Sequence, residues 1–287
     1  MSSGMSTGMS AGMSADRVRA ENMPTAAEGP LVLRTDADGV VTLRLNRPAR
    51  FNPLSSAMIA ALQAELDAVA ADPGARVVVL AGEGRGFSAG HDLKELRAHG
   101  DDAEWQQRLF DDCSRMMVKL TELPQPVIAR VHGIATAAGC QLVAMCDLAV
   151  AAEEARFALP GVNIGVFCST PAVGVGRNIG RKRAMELLLT GEPVTARVAL
   201  EWGLVNRVVP ASELDAEIAG LTDLIVARSA RVIAGGKRAF YRQIEQPLAA
   251  AYGLAGASMV TDVLHEDAAE GIDAFLAKRP ARWSTTG

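Results

Sequence analysis

Residues 131–147 read VHGIATAAGCQLVAMCD. A β-rich run, Val127-Ile128-Ala129-Arg130-Val131, enters the stretch, and the chain leaves it through Gly139-Cys140-Gln141-Leu142-Val143-Ala144-Met145-Cys146, with apolar positions at helical spacing. The turn between is built from small residues, Gly133, Ala135, Thr136, Ala137, Ala138 and Gly139. A strand that passes through small residues into a helix start lets a ligand approach the backbone. The first N–H groups of a helix lack internal partners and carry the positive end of its dipole. Such a place suits a phosphate, or a carbonyl oxygen becoming an oxyanion. The same residues also suit a turn kept small for packing.

A second small-residue segment, GEGRGFSAGHDLK over residues 82–94, runs directly off the apolar strand Val77-Val78-Val79-Leu80. No Gly-Lys-Ser/Thr follows it, and its glycines do not fit GxGxxG ahead of a helix, so it is neither a Walker loop nor a dinucleotide fingerprint. Two such turns, each fed by an apolar strand, would supply two backbone N–H groups converging on one oxygen.

The elements that must position these turns follow from pattern. Leu31-Val32-Leu33-Arg34 and residues 40–45 alternate around Asp36-Ala37-Asp38-Gly39, which predicts a hairpin. Prolines 48 and 53 keep residues 47–53 in a loop. Ser55 or Ser56 caps a helix carrying Met58, Leu62, Leu66 and Val69 on one stripe. A helical region follows over roughly residues 101–121, broken by Leu123-Pro124-Gln125-Pro126. Leu148-Ala149-Val150-Ala151 is a further buried-type strand, and residues 157–168 read as loop. Residues 184–189 form a helix stopped near Gly191, and Thr195 caps another that Gly203 ends. A strand is expected over 205–209 and helices from Ser212 onward, the last over 254–278. The helix–break–strand–small-turn unit occurs twice.

Composition bounds the function classes. The chain has 287 residues, 49% hydrophobic and 22% charged, as expected of one large soluble domain or one with an appendage. A net charge of −4 gives no support for a nucleic-acid role, and Arg181-Lys182-Arg183 reads as a solvated helix face. No apolar run approaches the ~20 residues of a membrane span. Cys113, Cys140, Cys146 and Cys168 form no CxxC and sit among apolar residues, so they read as reduced thiols rather than disulfides or a zinc site. Residues 1–29 open on a four-residue repeat (Met1-Ser2-Ser3-Gly4, Met5-Ser6-Thr7-Gly8) without an apolar signal core and are expected to be a disordered tail. The expected compartment is the cytoplasm, with a mitochondrial matrix as the alternative if the tail were a transit segment.

From residue 31 to 283 the chain resembles the enoyl-CoA hydratase/isomerase family, the crotonase superfamily. The resemblance rests on an ordered set of motifs: Leu45-Asn46-Arg47-Pro48 with Asn52 and Leu54, Gly86-Phe87-Ser88-Ala89-Gly90-His91-Asp92-Leu93, residues 131–147, Leu189-Thr190-Gly191-Glu192, Trp202-Gly203-Leu204-Val205-Asn206, and Glu270-Gly271-Ile272 with Phe275-Leu276 and Lys278-Arg279. It implies an α/β fold, a spiral of ββα repeats over residues 30–225, with a C-terminal helical trimerisation region over 226–287. It also implies a homotrimer or dimer of trimers, no cofactor beyond the coenzyme A of the substrate, no metal and an acyl-CoA thioester as ligand, in fatty-acyl-CoA metabolism. The thioester oxygen would be held by the amides of His91 and Ala138. The His91 imidazole would face solvent or touch the CoA. Arg50, Phe51, Ala89, Gly90, Asp92, Leu93 and Lys94 would line the adenine and pantetheine path, with Thr136, Ala137 and Gly161 beside the thioester. Phe275 and Lys278 would reach the ligand from the terminal helix, in this subunit or a neighbour.

The sequence also departs from the family. A hydratase there uses two glutamates; one position holds Gln141, and the other, after Phe157-Ala158-Leu159-Pro160, holds Gly161. Glutamine exchanges no proton at neutral pH and glycine has no side chain, so the roughly 10²–10⁴-fold contribution of acid–base catalysis is lost at each. Cys168, Ser169 and Thr170 fall where other members place an aspartate. Cys168 is either a nucleophile of lowered pKa or a buried small residue lining the acyl pocket. The pattern resembles a divergent enoyl-CoA hydratase domain-containing subgroup. Two readings follow: an enzyme of the lyase/isomerase class with a non-glutamate proton handler, performing slow hydration, isomerisation or thioester cleavage; or a non-catalytic acyl-CoA carrier or sensor. Gln141→Glu with Gly161→Glu should create hydratase activity if only the acids are missing.

Overall fold

A computed structural model of the protein describes residues 29–284. The tail reading for residues 1–29 therefore lies, Gly29 apart, outside the described residues. The hairpin forms as expected, with β1 (Val32–Ala37) antiparallel to β2 (Val40–Leu45) and the turn made by Asp38 and Gly39 at positive φ. Helix α1 (Ser56–Ala70) starts at Ser55, whose hydroxyl accepts the Met58 N–H at 3.2 Å, and buries Met58, Ile59, Leu62, Leu66 and Val69.

Three ββα units follow. The first is β3 (Val77–Gly82), β4 (Gly86–Ser88), the short α2 (Leu93–Ala98) and the long α3 (Ala103–Glu122). The second is β5 (Val127–Val131), β6 (Ile134–Thr136) and α4 (Ala138–Met145). The third is β7 (Leu148–Ala152), β8 (Arg156–Ala158) and α5 (Ser169–Asn178). Each unit gives its first strand to a six-stranded sheet, β1-β2-β3-β5-β7-β10, and its second to a four-stranded sheet, β4-β6-β8-β9. The chain thus winds as a spiral, parallel throughout except for the β1–β2 and β8–β9 pairs.

Next come α6 (Arg181–Thr190), β9 (Val194–Thr195), α7 (Ala196–Trp202), β10 (Arg207–Val209) and α8 (Leu214–Val226). The continuous apolar strands are explained by two cores. Val78 and Leu80 face the main core with Leu43, Leu62, Met116 and Phe157, whereas Val77, Val79, Ile128 and Val150 face Leu214, Ile218 and Leu221 of α8. A strand covered on both faces has no polar side to alternate with.

The rest is helical: α9 (Ala230–Gln243), α10 (Leu248–Val263) and α11 (Glu266–Leu276). The single helix expected over 254–278 is thus two, divided at Leu264-His265, where the His265 ring accepts the Asp267 N–H at 3.2 Å and caps α11. The loop expected over 157–168 contains β8 and a 3-10 turn over Pro160–Ile164, and α5 beyond it was not foreseen. The strand expected over 205–209 is confined to β10.

Two features of the helical region matter below. Leu248, Tyr252, Met259, Val260 and Val263 on α10 and Ile272 and Phe275 on α11 are large, apolar and exposed. In contrast, Lys237 of α9 is buried: its Nζ donates to the Leu120 carbonyl at 2.8 Å, the Gln125 carbonyl at 2.9 Å and Asp147 Oδ2 at 2.6 Å. Asp147, just past the end of α4, also accepts the Val127 N–H at 2.6 Å and the Tyr241 hydroxyl at 2.9 Å.

Candidate active site at two converging turns

The loop after β4 is held by Asn52, a fully buried residue with φ of 52°. Its Nδ2 donates to the carbonyls of Glu83 and Gly86 at 2.9 Å each, and its Oδ1 accepts the Arg47 N–H at 2.8 Å. Ser88 Oγ donates to the Asn52 carbonyl at 2.9 Å. The Ala89 N–H then bonds the Phe51 carbonyl and the Leu54 N–H bonds the Gly90 carbonyl, both at 2.8 Å. In a trans peptide C=O and N–H point opposite ways. With the Gly90 carbonyl directed at Leu54, the His91 N–H is directed away from it.

The second turn is anchored where the Ala137 N–H bonds the Ala158 carbonyl at 2.9 Å. Ala137 has φ of 49° and ψ of −120°, a region that costs a side chain of L configuration about 1–3 kcal/mol. The Ala137 carbonyl accepts the Gln141 N–H at 3.0 Å along α4, so the Ala138 N–H points out of the helix start. Among the described residues, neither the His91 nor the Ala138 amide has a hydrogen-bond partner.

Gly90 brings the turns together. It has φ of +85°, and a Cβ placed on it would stand 2.9 Å from Ala137 Cβ and 3.1 Å from the Ala138 nitrogen. The Thr136 hydroxyl, donating to the Ala89 carbonyl at 3.1 Å, staples one turn to the other. Thr136, expected beside the ligand, is thus first a structural tie. Two unpartnered N–H groups on adjoining turns can hold one oxygen.

His91, Gln141 and Cys168 carry no charge at neutral pH. The His91 ring, half-buried, packs edge-on against Phe110 with centroids 5.2 Å apart, and its Nε2 is buried without a partner. Burial, only partly offset by Glu95, pushes its pKa down to about 4, so the imidazole is neutral at pH 7. Gln141 is 4% exposed, with Oε1 buried and unpaired. Cys168, buried at the start of α5, has its thiol pKa raised by burial, against the opposing pull of the Gly161 amide. A thiol shifted in that direction is protonated at neutral pH.

Gly161 itself has no room for a side chain. A Cβ there would collide with the Val166 carbonyl and stand 2.8 Å from Cys168 Sγ. The loop that carries it is closed by the Val166 N–H on the Gly161 carbonyl at 2.9 Å. Restoring both glutamates is therefore not expected to create a hydratase. Gly161→Glu should cost about 1–3 kcal/mol of stability through overpacking, read by urea denaturation. The double variant Gln141→Glu/Gly161→Glu should hydrate crotonyl-CoA no faster than the parent; a hydratase-like rate would show that the loop yields.

Phe51, with φ of 58°, receives the Arg85 guanidinium 5.3 Å from its ring centroid, and Arg50 is exposed beside it. Asp92 caps α2, its Oδ1 accepting the Lys94 N–H at 2.9 Å, and leaves Leu93 and Lys94 exposed. Phe275 and Lys278 are not brought to the site within the chain: Phe275 is exposed on α11. Of two surface clefts, one has Glu270 and Arg279 in an ion pair and Asp267 accepting from the Ser229 hydroxyl and the Ser284 N–H, and the other has Asp67 paired with Lys119 and Arg115 with Asp112. Among the described residues no cluster of three or more His, Cys, Asp or Glu side chains could hold a metal, and no helix is long and apolar enough to cross a membrane.

The same architecture occurs in known proteins. The mouse (Mus musculus) enoyl-CoA hydratase domain-containing protein 3, mitochondrial, is 45% identical over 259 residues, 90% of this chain and 86% of that protein. The crystal structure of an enoyl-CoA hydratase from Mycobacterium smegmatis superposes with a TM-score of 0.87 at 54% identity, covering 88% of this chain and 99% of that one. The crystal structure of human enoyl Coenzyme A hydratase domain-containing protein 3 gives 0.86 at 43% identity, covering 88% and 100%. Residues 35–286 match the family model described as enoyl-CoA hydratase/isomerase. That match takes in both turns, the crotonase-type spiral and the terminal helices, and the chain belongs to the enoyl-CoA hydratase/isomerase family.

Proposed function

We propose that the protein binds an acyl-CoA thioester and that the amides of His91 and Ala138 hold its carbonyl oxygen, stabilising the oxyanion or enolate. The observation that carries this reading is the approach of two partnerless N–H groups across Gly90. Each donor is worth ~3 kcal/mol when charge develops on the oxygen. Arg50, Phe51 and Lys94 take the nucleotide end, and coenzyme A is the sole cofactor chemistry required. The exposed apolar faces of α10 and α11 are covered by further copies, as a homotrimer or dimer of trimers, which also supplies Phe275 and Lys278 from a neighbour. The four unpaired thiols suit a reducing compartment, taken as the cytoplasm; the mouse relative's own name says mitochondrial.

Chemistry at such a site is set by the groups around the oxyanion. With Gln141 and Gly161 in place of acids, direct hydration is slow, and isomerisation or thioester cleavage through the stabilised enolate or oxyanion are the remaining candidate reactions. The neutrality of His91, Gln141 and Cys168 favours a second reading, an acyl-CoA carrier or sensor that polarises the thioester without turning it over. Infrared difference spectroscopy with a carbonyl-labelled butyryl-CoA tests the shared part: the thioester stretch should move to lower frequency on binding, and an unmoved band rules the reading out. Incubation with enoyl- and acyl-CoAs, followed by mass spectrometry, then separates enzyme from carrier.

A further inference from the structure

His91 brings an imidazole to the site as well as a backbone amide. The ring is half-buried against Phe110, yet it has no hydrogen-bond partner among the described residues. Glu95, whose charge the ring feels, gives its oxygens instead to the Ser56 N–H at 2.8 Å and the Ser56 hydroxyl. The two ring nitrogens differ: Nε2 is shut off from solvent with nothing to bond, and Nδ1 is not shut off. An orphaned N–H is rarer in a protein interior than an orphaned acceptor. Nε2 therefore keeps its lone pair, and the single proton of the neutral ring belongs on Nδ1. Burial holds the ring in that neutral form. Nδ1–H is thus a donor on the open edge of the ring, without an acceptor of its own.

We infer that the His91 imidazole is a third donor to the thioester oxygen, through Nδ1–H, beside the amides of His91 and Ala138. The inference rests on the acyl-CoA reading above. Four bonds join Nδ1 to the backbone nitrogen of the same residue, so the two lie within about 5 Å of each other in any rotamer. An oxygen at the usual ~2.9 Å from the His91 nitrogen is therefore within the compass of Nδ1–H as well. A neutral imidazole polarises a carbonyl without handing over its proton. Gln141 and Gly161 supply no acid here, so hydrogen-bond donors are what the oxygen has.

Nitrogen-15 NMR of the full chain, labelled on histidine, tests this without changing His91. Three other histidines, His99, His132 and His265, are assigned by single replacement, which leaves the His91 signals. The free protein should carry the His91 proton on Nδ1, and butyryl-CoA should shift that N–H signal. A proton on Nε2, or an Nδ1–H that butyryl-CoA leaves unmoved although calorimetry shows it bound, overturns the inference and leaves the acyl-CoA reading standing. Failure of butyryl-CoA to bind overturns both. Substitution adds a second check. His91→Ala keeps the backbone amide and loses the ring, and should bind butyryl-CoA about three- to tenfold more weakly, with a smaller shift of the thioester stretch. Asparagine places its NH₂ near the position of Nδ1 and glutamine near that of Nε2. His91→Asn should therefore recover most of the loss and His91→Gln should not. Equal affinity and stretch in His91→Ala and the parent overturn the inference, as does recovery by glutamine alone.

Discussion

Gly90→Ala is expected to weaken acyl-CoA binding by up to about tenfold while leaving a folded chain. Two independent effects act at this residue. Its φ of +85° is strained for any side chain, at about 1–2 kcal/mol. The added methyl would also press on Ala137 Cβ and the Thr136 carbonyl, each 2.9 Å away, and on the Ala138 nitrogen at 3.1 Å. Neither turn gives easily, because one is tied by Asn52 and the other by the Ala137–Ala158 bond. The way to relieve the contact is to separate the turns, which moves one amide off the oxygen. The bound thioester oxygen is neutral, so losing one such donor is worth about 0.5–1.5 kcal/mol, hence up to about tenfold. Calorimetry with butyryl-CoA reads the affinity, and the thioester stretch should return towards its value in water. Unchanged affinity with an unchanged stretch would mean the oxygen is held elsewhere.

Lys237→Ala should be the most destabilising of the single substitutions considered, by about 3–5 kcal/mol in urea denaturation. Burial pulls the Lys237 pKa below the ordinary lysine range while Asp147 pulls it back, so the ammonium gains little from being buried as such. The cost arises on removal: Asp147 keeps only the Val127 N–H and the Tyr241 hydroxyl, and the Leu120 and Gln125 carbonyls lose their donor. Asp147→Asn retains a hydrogen-bonding side chain and should cost less. Equal stability of Lys237→Ala and the parent would show that the pair contributes nothing net.

Much of this was legible in the sequence, for physical reasons that also explain the gaps. The runs Val77-Val78-Val79-Leu80 and Val127-Ile128-Ala129 announce strands because both faces are covered, and α1 announces itself through its cap and stripe. Helix α5 was hidden by Pro171, Gly174 and Gly176, residues that lower helix propensity but here sit on a helix packed against α4. The second strands of the repeats are three residues long and β9 is two, too short to show a period. The two small-residue turns were readable from their composition and their feeding strands. What could not be read was the clasp of Asn52 on carbonyls 31 to 35 positions away, or the obstruction at Gly161, which depends on where the Val166 carbonyl points. The absence of the acids is a matter of composition; the absence of space for one of them is a matter of backbone path.

The Lys237–Asp147 contact also fixes an order of events during synthesis. Asp147 is made 90 residues before its counter-ion. Both sheets and α4 can assemble while the carboxylate still waits in water, and only when α9 arrives does the ammonium close over it. A nascent chain thus carries α4 with an unsealed rear end until the C-terminal helices are complete. Premature termination before residue 237 would yield a recognisable spiral whose α4 lacks its clamp, a form suited to capture by quality control rather than to accumulation.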